Sequence, residues 1–160
     1  MGQEMTENKL SFVYFEPRNG QFRTFLTMEK VITGQEDPEV FLNQVAELYG
    51  QAVKRMCSLV AEIQDMRTHR KLVPARKVWE VGDAIFKLGE DLEKFSLQVD
   101  GLYDHLVRDL GVKRKWLEKV IIFRRYLPEQ KAIPDSLNWG RCEKGTRRIA
   151  EQIRGGMLHG

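Results

Sequence analysis

Between Leu102 and Leu127 the sequence reads LYDHLVRDLGVKRKWLEKVIIFRRYL, and the chemistry it offers is cationic: Lys113, Arg114, Lys115 and Lys119, then Arg124 and Arg125. Clustered Lys and Arg suit a polyphosphate. A duplex carries one charge per roughly 1.7 Å of its axis, and neutralising those charges releases condensed counterions. Arg114 is the candidate for a base contact, because its guanidinium fork matches the two major-groove acceptors of guanine. Arg147 and Arg148 repeat the basic character on a later segment. The 160-residue chain has a net charge of only +3, but His105 to Arg154 holds 13 Lys or Arg against 6 Asp or Glu, while the remainder holds 13 against 17. This asymmetry points to a polyanionic partner, double-stranded DNA in the first place, with structured RNA served by the same charges.

Other chemistry is not indicated. Cys57 and Cys142 lie far apart, Cys57 on an apolar stripe, so a disulfide framework is not expected. His69, His105 and His159 share no ligand spacing with each other or with the cysteines, and neither a metal nor a cofactor is expected. There is no Gly-rich phosphate loop and no Gly-x-Ser-x-Gly. The carboxylates Glu90 and Asp91 sit on the charged side of a helix, where Lys94 is partner enough. No catalytic residues are assigned, and the chain is not expected to be an enzyme.

The cations need a scaffold. Gly111 falls where a helix-turn-helix requires a residue with positive φ, with apolar Leu106, Val107, Leu110, Val112, Leu117 and Val120 on the inward positions around it. Outward positions of the second helix would be Lys113, Arg114, Lys115, Glu118 and Lys119, four of the five basic. A helical corner with a solvated basic face fits the same residues. Trp116 suits either a core position or a ring lying near a sugar-phosphate backbone, whereas Trp79 reads as core and Trp139 as a loop anchor.

Upstream, strand-forming residues flank Asn19-Gly20, which predicts a β-hairpin over 10–28. Asp37-Pro38 opens a long helix, expected over 38–72. Its apolar residues Leu42, Val45, Tyr49, Ala52, Met56, Leu59, Ile63 and Met66 keep an alternating spacing of three and four. Such a stripe is either a coiled-coil seam for a homodimer or a face packed within the chain. Pro74 ends that helix and opens another, whose apolar positions are Val78, Val81, Ile85, Leu88, Leu92 and Phe95; helices including the corner at 102–126 fill 74–127. A basic helix is expected over 140–154, followed by a fraying tail at 155–160. The expected architecture is one domain over 1–160: a mainly α helical bundle containing a helix-turn-helix, preceded by the hairpin.

No apolar run approaches the roughly 18 residues that span a bilayer, and the start MGQEMTENK lacks the apolar stretch of a secretory signal. A cytoplasmic protein without a membrane partner is expected.

The pattern VWEVGDAI at 78–85, followed by LYDHLVRDLGVKRKWLEKVIIFRRYLP through Pro128, resembles the helical N-terminal domain of the YhcG-like nuclease family. That family carries a Trp-x-Ile-Gly-x-x-Ile helix, an apolar helix, a Gly-containing turn and a helix ending in an aromatic residue and proline. The resemblance covers residues 75–128 and implies an all-helical module that works beside a nuclease, handling nucleic acid or partner proteins. It does not extend to the family's nuclease domain: the C-terminal third here is short and basic, with no strand-borne acidic pair followed by Glu-x-Lys. The sequence therefore leads to a small DNA-binding protein, regulatory or architectural, acting as a dimer. A helical adaptor subunit of a larger protein or nucleoprotein assembly, using the Leu42–Met66 stripe, is the alternative.

Overall fold

A computed structural model describes residues 38–94 and 98–156, together with the backbone of the short segments 6–10, 15–16, 21–22 and 27–32. The chain is mainly helical. In order, its elements are β1 (Thr6–Leu10), β2 (Phe15–Glu16), β3 (Gln21–Phe22), β4 (Thr27–Ile32), α1 (Pro38–Thr68), α2 (Ala75–Lys94), β5 (Gln98–Asp100), α3 (Leu102–Leu110), α4 (Arg114–Tyr126), a 3-10 turn at Gln130–Ala132, α5 (Trp139–Glu143) and α6 (Thr146–Arg154). It divides into two compact units, residues 1–54 with 87–111, and residues 55–86 with 112–160. Both α1 and α2 contribute to each.

In the first unit β4 pairs antiparallel with β1, Thr6 opposite Ile32 through Leu10 opposite Met28, and with β5, Thr27 opposite Asp100. Strands β2 and β3 pair antiparallel with Phe15 opposite Phe22. The Asn19-Gly20 turn, the Asp37 cap and the Leu42 side chain of the sequence analysis lie outside the described residues. Among the described residues, Val45, Tyr49 and Val53 of α1, Leu88 and Leu92 of α2, and Leu106 and Leu110 of α3 are the buried apolar residues of this unit. The Tyr49 hydroxyl donates to the Asp109 carboxylate at 2.6 Å, so the one polar group on the stripe reaches an acceptor rather than being stranded.

In the second unit α1 ends at Thr68, four residues before the boundary expected from the sequence. Arg70 takes the left-handed conformation (φ 54°), its N–H donates to Arg67 O at 3.0 Å, and Lys71 N–H donates to Met66 O at 2.8 Å. These two bonds are the Schellman closure of a helix C-terminus, which sequence reading looks for at a glycine. Lys77 at the start of α2 pairs with Glu62 of α1, so the chain has doubled back within six residues. Residues 73–75 then meet the segment before α5: Trp139 N–H donates to Val73 O at 2.8 Å and Ala75 N–H to Leu137 O at 2.9 Å. Arg76 is tied to the same region through Ile133 O at 2.7 Å and the Asp135 carboxylate at 2.6 Å. Trp139 is 1% exposed, edge-on to Phe123 with ring centroids 5.4 Å apart. Where the sequence suggested a loop anchor, it is a core residue of α5, its indole N–H donating to Glu143.

The expected single helix over 140–154 is two. Gly145 leaves helical geometry (ψ 61°), its N–H donates to Cys142 O at 3.2 Å, and the Thr146 hydroxyl donates to the same oxygen at 3.0 Å. A side chain that satisfies the end of one helix while opening the next makes the break inexpensive. Helix α6 lays Thr146, Ile149, Ala150 and Ile153 inward, one face of two turns, and packs along α4.

Candidate functional site

The basic residues singled out from the sequence separate into three environments. On α4, Arg114, Lys115 and Arg125 are exposed, Lys113 is exposed as the residue before the first turn, and Lys119 is half-buried. At about 100° per residue Lys115 and Lys119 stand opposite Leu117, Val120 and Ile121, Arg114 and Arg125 lie on one flank between them, and Lys113, in extended conformation before the first turn, is not part of that face. Glu118 stands among them and accepts from Arg114 Nε at 3.3 Å, one turn away. A cationic strip along one helix face remains, with a single carboxylate in it.

Arg124 does not belong to that strip. It lies two turns beyond Leu117 and one beyond Val120, on the buried side of α4. Its Nε donates to Asp83 Oδ1 at 3.1 Å, with the two side chains 14% and 15% exposed. Its guanidinium carbon stands 4.7 Å from the centroid of the Phe86 ring and 5.4 Å from that of Trp79. The indole N–H of Trp79 donates to Leu127 O at 2.6 Å, fixing the ring beneath the cation. Gly82 makes the approach feasible, since a Cβ there would stand 2.7 Å from Arg124 Cβ. The assignment of Arg124 to nucleic-acid binding is therefore corrected: it is a lock between α2 and α4. The signal was in the sequence, as Leu117, Val120, Ile121 and Arg124 fall on one helical face.

Arg147 and Arg148 diverge as well. Arg147 pairs with Glu151 at 3.3 Å and lies over the Tyr126 ring at 5.7 Å, tying the start of α6 to the end of α4. Arg148 faces a shallow, open depression of about 650 Å³ at the α5–α6 break, lined also by Gly140, Arg141, Lys144, Ile149 and Gln152. Arg141 and Lys144 were not singled out from the sequence. Their spacing of three and four residues from one to the next puts Arg141, Lys144 and Arg148 on one side of the segment, and the three line the depression together.

Gly111 closes α3 in the left-handed conformation (φ 65°), its N–H donating to Arg108 O at 3.3 Å, and α4 begins at Arg114 after Val112 and Lys113. Of the six apolar positions around it, Leu106, Leu110, Leu117 and Val120 are buried while Val107 and Val112 are half-buried. Trp116, left between two roles, is half-buried. Its indole N–H is shielded from solvent without an acceptor. Along α1 the stripe residues Val45, Tyr49, Met56 and Ile63 are each at most 1% exposed, and Leu59 is half-buried. Those four residues are covered within the chain.

His105 and Cys142, both among the described residues, have shifted pKa values. Burial, reinforced by the Arg108 cation, lowers the His105 pKa against the opposing pull of Asp109 and Asp104. Burial pushes the Cys142 thiol up to about 11, which keeps it protonated at neutral pH. No cluster of three or more potential metal-ligating His, Cys, Asp or Glu occurs among the described residues. No helix among the described residues is long and apolar enough to cross a membrane.

No protein-family model, curated protein or solved structure matches the chain.

Proposed function

We propose that the chain binds DNA without catalysing a reaction, in a regulatory or architectural role, through a helix-turn-helix formed by α3, Gly111 and α4. The observation that carries this reading is the cationic surface of α4, with Arg114, Lys115 and Arg125 exposed, Lys119 half-buried beside them and Lys113 exposed just before the first turn, while Val45, Tyr49, Met56 and Ile63 of the α1 stripe are buried. Phosphate contacts supply affinity and position, and Arg114, whose present partner is an exposed carboxylate, is the residue for a guanine edge. Releasing Arg114 from Glu118 costs little, because exposed ion pairs are worth no more than about 1 kcal/mol. A homodimer belongs to the proposal, since a single recognition helix reads few base pairs. The dimer contact lies elsewhere than the α1 stripe. The β-hairpin expected over 10–28 is part of the same reading, lying on the helices or adding to a partner's sheet edge, and the resemblance of residues 75–128 to a domain that works beside a nuclease supports it.

The test is fluorescence anisotropy of a labelled random duplex across a salt series, with Arg114→Ala/Lys115→Ala beside the unmodified chain. Each phosphate contact contributes about 0.9 to the slope of log affinity against log salt, so the double variant should flatten it by up to about 1.8. Absence of binding at low salt would defeat the proposal. It would leave the adaptor reading, which the 73% exposure of Leu72 favours.

A further inference from the structure

Charge on the second unit is sorted in a way that its composition does not show. Glu143 and Glu151, the two carboxylates of the α5–α6 segment, are both engaged: Glu143 accepts from the Trp139 indole at 3.0 Å and lies 3.7 Å from Arg67, and Glu151 accepts from Arg147 at 3.3 Å. The depression at the break is lined by Arg141, Lys144 and Arg148 with no acidic residue in its wall. Three cations held around one concavity with their neighbouring carboxylates committed elsewhere repel one another, and a bound anion relieves that repulsion.

We propose that this depression is a phosphate-binding site. Arg148 supplies a planar fork, Lys144 a point charge, and Arg141 a second guanidinium from the other side of the break. Gly145 lets the Arg148 group lie over the break, because a Cβ there would stand 3.2 Å from its Nη2. Gly140 leaves the rim open: a side chain added there meets nothing within 4 Å. Gln152 offers an amide donor, and Ile149 an apolar floor that limits competing water. The phosphate belongs either to the backbone of a polynucleotide or to a small phosphorylated ligand. In the first case the inference rests on the DNA-binding reading above and adds a second anchor, away from the strip on α4.

The experiment compares the unmodified chain, Arg141→Ala/Lys144→Ala, Gly140→Glu and Arg114→Ala/Lys115→Ala. Pyrophosphate is titrated with amide shifts followed by NMR, and a labelled duplex is titrated by anisotropy over a salt series. Surface substitutions of this kind change stability by no more than about 0.5 kcal/mol, and Gly140→Glu fills open space in a helix, so all four chains fold. Shifts centred on Gly140, Lys144, Ile149 and Gln152 that vanish in Arg141→Ala/Lys144→Ala and in Gly140→Glu are the expected result. If the polynucleotide is the source, Arg141→Ala/Lys144→Ala also flattens the salt slope by about 1.8, a change near tenfold in relative affinity over a fourfold span of salt. Localised pyrophosphate shifts with no duplex binding would uphold the site for a small ligand and refute the DNA-binding reading. Duplex binding that depends on Arg114 and Lys115 but not on Arg141 and Lys144, with no localised pyrophosphate shifts, would overturn the proposal and leave that reading intact. No response to either probe overturns both.

Discussion

Replacing Arg124 by alanine separates its structural role from the binding role that its sequence neighbours suggest. Both Arg124 and Asp83 have side chains about one-seventh exposed, 14% and 15%, at an Nε to Oδ1 distance of 3.1 Å. Removing one partner of a buried pair costs about 3–5 kcal/mol, chiefly because the other charge stays in a poorly solvated place. Asp83 has a further interaction in the folded chain, which moves the expected loss to the lower end, about 3 kcal/mol. The stacking on Phe86 and Trp79, at 4.7 and 5.4 Å, is lost with the same group. For a chain of this size about 1 kcal/mol lowers Tm by roughly 2–4 °C, so Arg124→Ala should melt about 6–12 °C earlier. Urea unfolding of Arg124→Ala, Asp83→Ala and the double variant gives the coupling energy directly. A value of about 1–3 kcal/mol is expected for groups in contact. Arg125→Ala, one residue on and exposed, serves as the control: it should leave stability within about 0.5 kcal/mol and lower duplex affinity. An Arg124→Ala chain as stable as the original, but weaker in duplex binding, would refute the assignment of Arg124 to the interior.

Stability should also depend on pH through His105. Its folded pKa lies below 6.5, so the unfolded chain takes up the proton more readily, and the contribution of the neutral ring is complete above pH 6.5 and lost as pH falls from there to the folded value. Unfolding free energy should therefore rise as the pH is raised through the folded His105 pKa towards 6.5, by an amount that His105→Gln removes; an unchanged slope in that variant would assign the dependence to other groups. At pH 8 a thiol with a pKa of about 11 is ionised to roughly one part in a thousand. Alkylation of Cys142 should accordingly be slow in the folded chain and reach the rate of an ordinary thiol in denaturant, as peptide mass mapping would show. Rapid modification of folded Cys142 would contradict its burial.

Several features could be read without coordinates because they depend on spacing alone. The helical period of Val45, Tyr49, Met56 and Ile63, the proline before the second long helix, and the glycine after Leu110 act within a turn or two of chain, and α1, α2 and the left-handed Gly111 follow from them. Periodicity also shows that the stripe must be covered but not by what. Its burial within the chain, against a seam for a second copy, is a tertiary result. The same limit applies to the end of α1. Arg70 bears no mark of a left-handed residue, and the two backbone bonds that close α1 accompany that conformation without a glycine to announce it.

Charges were the least legible part of the sequence. A count of Lys and Arg assigns each of them to solvent, whereas pairing and burial depend on which carboxylates the fold brings near. Arg124 looked like a continuation of the strip and is buried against Asp83, with Gly82 making room for it. Arg141 and Lys144 looked like ordinary surface residues, yet the fold leaves both with Arg148 around one depression at the break between α5 and α6. The sequence alone therefore determined a mainly helical chain with its cations concentrated in the C-terminal third. Only the tertiary structure decided which cations are neutralised and which remain open to a phosphate, because Coulomb energy depends on distance and solvation, and neither is a property of composition.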